Sequence, residues 1–177
     1  MRIRLDKLGD LKNGANFSLG AYGTGFPIVN VKQLYSGRYV TTDSLLKVYA
    51  SAIPNPKSLF LIRGDILFAR SSVKASGAGQ VAMIDACPAD TVFSGFIIRF
   101  RISAVDKALP EYLNYVLRSP EYREVLTRMG TGTTITNLSQ TVLGGLEVDL
   151  PCLSEQRTIA AILGALDDKI ELNRQMN

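Results

Sequence analysis

Residues 150–177, at the end of the sequence, constrain the fold of this chain more than any other stretch. An apolar run ends at Pro151, and Ser154 follows with a side-chain oxygen suited to cap the first turn of a helix. Glu155 lies in that first turn, where a negative charge suits the helix dipole. One face then recurs at helical spacing, apolar at four positions and polar at the fifth: Ile159, Leu163, Leu166, Ile170 and Asn173. The pattern predicts a terminal helix over 154–177, roughly 35 Å long.

The apolar stripe of this helix has two interpretations. The helix packs the stripe against its own globular domain, or it presents the stripe as half of a helix–helix interface that a second segment completes. Periodicity alone does not separate these interpretations, and both stay open at this point.

The composition is that of a folded protein with a substantial core. The chain has 177 residues, of which 46% are hydrophobic. No apolar run approaches the roughly 18 residues that a membrane-spanning helix requires, and the N-terminus lacks the apolar region of a signal peptide. We therefore expect a cytoplasmic protein with no membrane association.

The sequence lacks the residues that many enzymes need. It has no histidine, and its two cysteines, Cys87 and Cys152, are far apart, which excludes His/Cys zinc sites and Ser-His or Cys-His nucleophile pairs. No glycine-rich phosphate loop is present, and no carboxylates pair for acid–base work. We therefore expect a non-catalytic protein with no cofactor of its own.

The charge is unevenly distributed along the chain. Residues 1–80 hold 11 Lys/Arg against 4 Asp/Glu, a net charge of +7, whereas residues 81–177 hold 9 against 12, a net charge of −3. A basic half is what a surface facing nucleic-acid phosphates requires. Solvated surface cations that only keep the domain soluble would give the same totals.

The pattern along the chain predicts an α+β fold, a globular domain of short mixed strands and helices followed by a C-terminal α-helix. We place the boundary between residues 1–150 and residues 151–177. The expected strands lie at 27–34, 59–62, 66–69, 81–84, 93–102 and 143–150. The expected helices lie at 44–52, from Pro110, and from Ser119-Pro120 to a stop at Gly130. In the strand at 93–102, Phe96 falls on the apolar face, and Arg99 and Arg101 fall on an opposite face predicted to be solvated.

Three loops, at 12–25, 70–80 and 130–139, combine glycine, hydroxyl or amide side chains, and cations. Such groups hold phosphates and read base edges in DNA, although any surface loop uses them as well. The residues that we select as DNA contacts are Lys12, Asn13, Lys32, Arg70, Lys74, Thr133, Thr134 and Asn137.

The order of seven segments resembles a known family. These segments are LGDLKNG at 8–14, PIVNV at 27–31, GDILFAR at 64–70, SGFIIR at 94–99, YLNYVLRSP at 112–120, GTGTTITNL at 130–138 and LPCLSEQRTI at 150–159. Together they are similar to the DNA specificity (S) subunit of type I restriction–modification systems. The resemblance covers essentially the whole chain, and the last segment is its most specific part.

The resemblance implies a target recognition domain followed by a spacer helix. It implies that the domain binds one half of a bipartite double-stranded DNA target, and that spacer helices pair as an antiparallel coiled coil. The implied partners are methyltransferase subunits, which carry S-adenosylmethionine, and a restriction/translocase subunit. One recognition domain and one short helix depart from the usual two of each. The chain is therefore expected to be either a half-subunit that pairs with a second copy or second S half through this helix, or a fragment of a longer chain. The alternative function is a protein interaction or assembly domain that does not bind DNA and that dimerises through its helix.

Overall fold

The computed structural model of this chain describes residues 1–72, 77–130 and 136–176. Its strands are, in chain order, β1 (Arg2–Arg4), β2 (Gly9–Asn13), β3 (Gly25–Val29), β4 (Leu46–Tyr49), β5 (Ile66–Ala69), β6 (Ser71–Ser72), β7 (Val81–Met83), β8 (Val92–Phe93), β9 (Ile97–Ile102), β10 (Thr136–Asn137) and β11 (Glu147–Asp149). Its α-helices are α1 (Pro110–Arg118), α2 (Pro120–Met129), α3 (Gln140–Gly144) and α4 (Leu153–Gln175). The prediction of an α+β fold that ends in a long helix is confirmed.

The central sheet has the strand order β2–β9–β5–β7, and its neighbouring strands are antiparallel. Ile66, Phe68 and Phe100 on one face belong to a buried cluster that α1 and α2 cover. Leu67 and Ala82 on the other face belong to a second cluster. Because both faces are covered, all four residues of β5 are buried. This explains why its sequence is a continuous apolar run instead of an alternating one.

A second sheet, in the order β4–β3–β8, packs against the second cluster. The prediction of a helix over 44–52 is wrong, because β4 and a short 3-10 helix, Ala50–Ala52, occupy this stretch. Within β4 only Val48 is buried, and it lies opposite Phe26 of β3. Pairing with β3 decides the conformation here, since one buried residue gives a helix no apolar face to bury.

The strand predicted at 27–34 is wrong in part, and the strand predicted at 59–62 is wrong altogether. The strand expected at 27–34 ends at Val29, and the 3-10 helix Val31–Leu34 follows, where the Asn30 backbone N–H donates to Gln33 Oε1 at 3.1 Å. The stretch at 59–62 is the end of a 3-10 helix, Pro56–Leu59, followed by irregular chain. Its apolar residues Leu59 and Leu61 are buried without strand pairing.

The helical pair lies where the sequence predicted it. Pro110 is the first residue of α1. Its lack of a backbone N–H does not weaken the helix there, because the N–H groups of the first turn have no partner within the helix. Ser119 ends α1 and caps α2, and its hydroxyl accepts from the Tyr122 N–H at 3.5 Å. Gly130 follows the last residue of α2, as predicted.

The end of the globular part returns to its beginning. The strand expected at 143–150 is shorter than predicted. Its first two residues belong to α3, which Ser139 caps, and only β11 is extended. Strand β11 pairs antiparallel with β1, and the Leu150 N–H donates to the Met1 carbonyl oxygen at 2.8 Å. The first and last strands of the globular part are therefore joined just before α4 begins.

Helix α4 begins at Leu153, and its N-cap is Cys152, two residues before the predicted cap Ser154. Glu155 accepts from the Cys152 N–H at 3.1 Å and so satisfies one backbone donor at the helix start. The buried Gln156 side chain attaches the helix to the domain, since its Oε1 accepts from the Leu109 N–H at 3.0 Å. Within the three described ranges, no helix is both long and apolar enough to cross a membrane.

Candidate nucleic-acid interface

Two of the three predicted loops are joined at their bases by a small antiparallel ribbon. Strand β6 pairs with β10, so that Ser71 lies opposite Asn137. The Ser71 hydroxyl hydrogen-bonds with the Asn137 side-chain oxygen, and the Leu138 N–H donates to the Arg70 carbonyl oxygen at 2.8 Å. The described residues 70–72 and 136–138, one segment from each of these two loops, are therefore adjacent.

Arg70 connects these two segments to the third loop. Its backbone N–H donates to the Phe96 carbonyl oxygen at 2.8 Å, and its Nη1 donates to the Gly95 carbonyl oxygen at 3.1 Å. The Gly95 N–H in turn donates to the carbonyl oxygen of Ala15, which lies in the loop at 12–25, at 2.6 Å. Segments that are far apart in sequence thus form one edge of the molecule, which we call the loop edge: residues 13–16, 70–72, 94–96 and 136–138.

Two glycines allow the chain segments of the loop edge to cross without a gap. A Cβ atom added at Gly14 would lie 2.2 Å from the Ser94 carbonyl oxygen, and one added at Gly95 would lie 1.9 Å from Asn16 Oδ1. Real Cβ atoms do not approach other atoms this closely. A larger residue at Gly14 would push against the backbone of Ser94 and force the segments apart, whereas one at Gly95 would displace the Asn16 side chain. The turn at 94–96 is therefore held directly against the loop at 13–16.

The structure brings together some of the predicted DNA contacts. Arg70, Asn13 and Asn137 belong to the loop edge. Lys12 is the neighbour of Asn13 on β2, but it pairs with Arg99 of β9 and so lies on the opposite face of the sheet from Asn13.

Lys32 lies on an exposed position of a 3-10 helix that borders the loop edge. Just before this helix, the Val29 carbonyl oxygen accepts from the Ser94 N–H at 3.0 Å. Just after it, the Tyr35 hydroxyl donates to the Gly77 carbonyl oxygen at 3.2 Å. The three remaining predicted contacts lie outside the described residues: Lys74, Thr133 and Thr134.

Arg99 and Arg101 do not form the solvated face that the sequence predicted. Asp65 is fully buried, and its carboxylate accepts from Arg101 Nε and Nη2, both at 2.7 Å. This hydrogen bonding raises the pKa of Arg101 despite its partial burial. The Arg99 side chain is buried, and burial together with the adjacent Arg101 charge lowers its pKa. Both arginines are therefore engaged inside the domain and do not present their charge to a phosphate.

The sequence analysis missed two exposed apolar side chains near these loops. Phe96, which was placed on the core face of a strand, has 60% of its surface exposed, and Leu19 has 88% exposed. The strand is interrupted because β8 ends at Phe93 and β9 begins at Ile97. The Ser94-Gly95 pair was the available signal, since a glycine inside a strand pattern often marks such a break.

A second surface of interest runs along α4. The Arg38 Nη1 donates to the Tyr115 hydroxyl at 2.7 Å and to the Gly164 carbonyl oxygen at 3.0 Å, and Arg38 also pairs with Asp168. Burial alone would lower the pKa of Arg38, but the hydrogen bond to Tyr115 and the surrounding charge raise it. These contacts hold one face of α4 against α1 and the segment around Arg38.

The other face of α4 carries an exposed apolar stripe. Of the predicted interface positions, Ile159, Leu166 and Ile170 are exposed on this face, and Asn173 is exposed as well. Leu163 is half-buried, because it lies toward the domain side. The sequence analysis missed Ile162, which is exposed at the helical spacing that fits the stripe: Ile159, Ile162, Leu166 and Ile170. We call these four residues the α4 stripe.

Comparison with known proteins gives a consistent family. The sequence model of the type I restriction modification DNA specificity domain matches residues 2–177. The type I restriction enzyme MjaVIII specificity subunit of Methanocaldococcus jannaschii is 23% identical over 176 residues, which are 98% of this chain and 40% of that protein. The type I restriction enzyme StySPI specificity subunit of Salmonella potsdam is 26% identical over 140 residues, which are 79% of this chain and 29% of that protein.

Solved structures share the fold. The S subunit of a type I restriction–modification system from M. genitalium superposes with a TM-score of 0.66 at 17% identity, covering 99% of this chain and 42% of that one. The HsdS subunit from Thermoanaerobacter tengcongensis superposes with a TM-score of 0.65 at 22% identity, covering 99% of this chain and 39% of that one. The chain therefore spans about 40% of the length of the MjaVIII specificity subunit and of these two solved structures.

Proposed function

Because this chain belongs to the family of type I restriction modification DNA specificity domains, we propose that it is a sequence-specific, non-catalytic DNA-binding unit. It binds one half of a bipartite duplex target and directs methyltransferase and restriction subunits to that target. S-adenosylmethionine is bound by the methyltransferase partner in this proposal.

The observation that carries this proposal is the meeting of three polar loops at the loop edge. Arg70 joins them through its backbone and its guanidinium, at 2.8 Å to Phe96 O and 3.1 Å to Gly95 O. Lys32 borders the same edge and is exposed. Amide and cationic side chains grouped in this way suit both phosphate and base-edge contacts in the major groove.

We further propose that residues 1–150 form the target recognition domain and residues 151–177 a spacer helix. The pairing of β1 with β11, which joins the first and last strands of the globular part, supports this boundary. The α4 stripe supports a role in pairing, since four exposed apolar residues on one helix face favour burial against a second helix. That second helix comes either from a second copy of this chain or from the second half of a longer S subunit.

Methylation mapping tests the proposal. The full chain is produced together with its methyltransferase subunits, and methylated bases in the host DNA are located by sequencing. We expect one bipartite motif to be methylated. Arg70→Ala should relax or abolish one half of the motif. Arg63→Ala is the matched control, because Arg63 is an exposed cation at the opposite end of β5, where it pairs with Asp85.

Two results would contradict the proposal. Methylation without any common motif would show that the chain gives the complex no sequence preference. Assembly with the partners through α4, without any DNA binding by the complex, would instead favour the interaction-domain function.

A further inference from the structure

Phe96 is the most exposed aromatic side chain of the loop edge, with 60% of its surface accessible. It lies in the turn between β8 and β9, directly after the buried Gly95. A single exposed apolar side chain does not by itself require a partner. Phe96, however, lies within the surface that is proposed to face DNA, so its ring is placed where it can contact an apolar group of the DNA.

The backbone around Phe96 is fixed from both sides. The Ile97 N–H donates to the Ser94 carbonyl oxygen at 2.9 Å and closes the turn. The Arg70 N–H donates to the Phe96 carbonyl oxygen at 2.8 Å, and the Gly95 N–H donates to the Ala15 carbonyl oxygen at 2.6 Å. The ring is thus presented in advance, and its partner does not have to order the turn on binding.

The groups around Phe96 identify the chemistry of that partner. Arg70 contacts the two residues of the turn, Gly95 and Phe96, and Asn137 lies on the adjoining ribbon. Arginine and asparagine are side chains that read guanine and adenine edges in the major groove, where the apolar group offered by DNA is the 5-methyl of thymine. Residues 1–80, which supply Arg70 and the loop at 12–25, carry the basic excess of the chain.

We propose that Phe96 is a specificity residue that packs against the 5-methyl group of a thymine in the major groove. This inference rests on the proposed function, because it needs the loop edge to face duplex DNA. Insertion of the ring between base pairs is the alternative contact, and the test below separates the two.

The test compares Phe96 variants on duplexes with and without the methyl group. A duplex is first selected from a random-sequence pool with the full wild-type chain and its methyltransferase subunits. Each thymidine of the selected site is then replaced singly by deoxyuridine, which lacks only the methyl group. We expect one replacement to weaken wild-type binding roughly fourfold, as the loss of one buried methyl group should.

Phe96→Ala should weaken binding to the unmodified duplex by at least the same roughly fourfold factor. In this variant the critical deoxyuridine replacement should have no further effect, because ring and methyl group form one contact. Phe96→Leu should restore part of the affinity. The salt dependence should stay unchanged, since no charge is removed. Val105→Ala is the matched control, because Val105 is exposed beyond the opposite end of β9.

Several outcomes would overturn the inference while leaving the proposed function intact. One is a wild-type chain that selects a sequence and binds it as well after Phe96→Ala. Another is a Phe96→Ala loss that remains equally sensitive to every deoxyuridine replacement, which would point to ring insertion. A third is a variant that binds DNA normally but no longer binds the methyltransferase subunits. If the wild type selects no sequence at all, the proposed function fails and this inference fails with it.

Discussion

We expect Gln156→Ala to lower the free energy of unfolding by roughly 3 kcal/mol, because one buried side chain makes three hydrogen bonds at the start of α4. Its Oε1 accepts from the Leu109 N–H at 3.0 Å, and its Nε2 donates to the carbonyl oxygens of Lys107 at 2.8 Å and Pro151 at 2.9 Å. The side chain is fully buried. Each bond contributes about 1 kcal/mol net, and all three bonds are partly shielded from solvent.

Two further variants separate this explanation from a general effect of mutation. Gln156→Glu keeps the shape and the acceptor for Leu109, but its ionised form has no hydrogen to donate to Lys107 or Pro151. At neutral pH, Gln156→Glu should therefore be no more stable than Gln156→Ala. It should regain stability as the pH falls, since a protonated carboxyl donates one hydrogen bond. Arg157→Ala is the matched neighbour, because Arg157 is exposed, and it should be nearly neutral.

The assay is urea unfolding followed by circular dichroism, with thermal unfolding as a second measure. For a chain of this size, a loss of 3 kcal/mol corresponds to a melting temperature lowered by roughly 6–12 °C. A change of less than about 0.5 kcal/mol for Gln156→Ala would refute the reasoning, since that is the scale of neutral surface substitutions.

Three other substitutions probe separate parts of the molecule. Asp65→Ala should destabilise the domain by roughly 2 kcal/mol, because it leaves the partly buried Arg101 guanidinium without its carboxylate partner; an unchanged thermal midpoint would contradict this. Lys32→Ala should weaken binding to all duplex sequences alike and reduce the salt slope by about one unit, as the loss of one phosphate contact does; an unaltered slope would remove Lys32 from the DNA contacts. Leu166→Asp should abolish association through α4 in sedimentation experiments. Leu172 is 57% exposed and Leu166 54%, but Leu172 lies about 120° away around the helix, so Leu172→Asp should leave this association intact. Equal effects of the two substitutions would show that the α4 stripe is not the interface.

Local chemistry was enough to predict several elements from the sequence. Pro110 and Ser119-Pro120 start helices because proline suits a first turn and serine caps one, and Gly130 ends the second helix. The terminal helix was predicted from its periodicity, with its first residue displaced because Cys152 is the cap. These signals lie within a few residues of the element that they determine, so no distant contact overrides them.

Other elements depended on partners far away in the chain. Val48 lies in a strand and not in the predicted helix because β3 supplies its hydrogen bonds and the partly buried Phe26 opposite it. Arg99 and Arg101 alternate as a solvated strand face would, yet Asp65, more than thirty residues earlier, draws Arg101 inward. Alternation along one strand does not reveal what covers each face of the sheet.

The sequence by itself determined the family, through short segments such as LPCLSEQRTI at 150–159, and the kinds of side chain available for DNA contact. Only the tertiary structure decided which of these side chains meet. Arg70 links loops separated by tens of residues through hydrogen bonds to Gly95 and Phe96, and the same turn exposes a ring that the sequence pattern had placed in the core. The sequence likewise does not distinguish Gln156 from other polar residues of a helix. Only the structure shows that its side chain donates to the carbonyl oxygens of Lys107 and Pro151. The sequence does not indicate which backbone groups of distant segments will pair, because nearly every residue type offers the same N–H and C=O groups. Which of them become hydrogen-bond partners is decided by the tertiary fold.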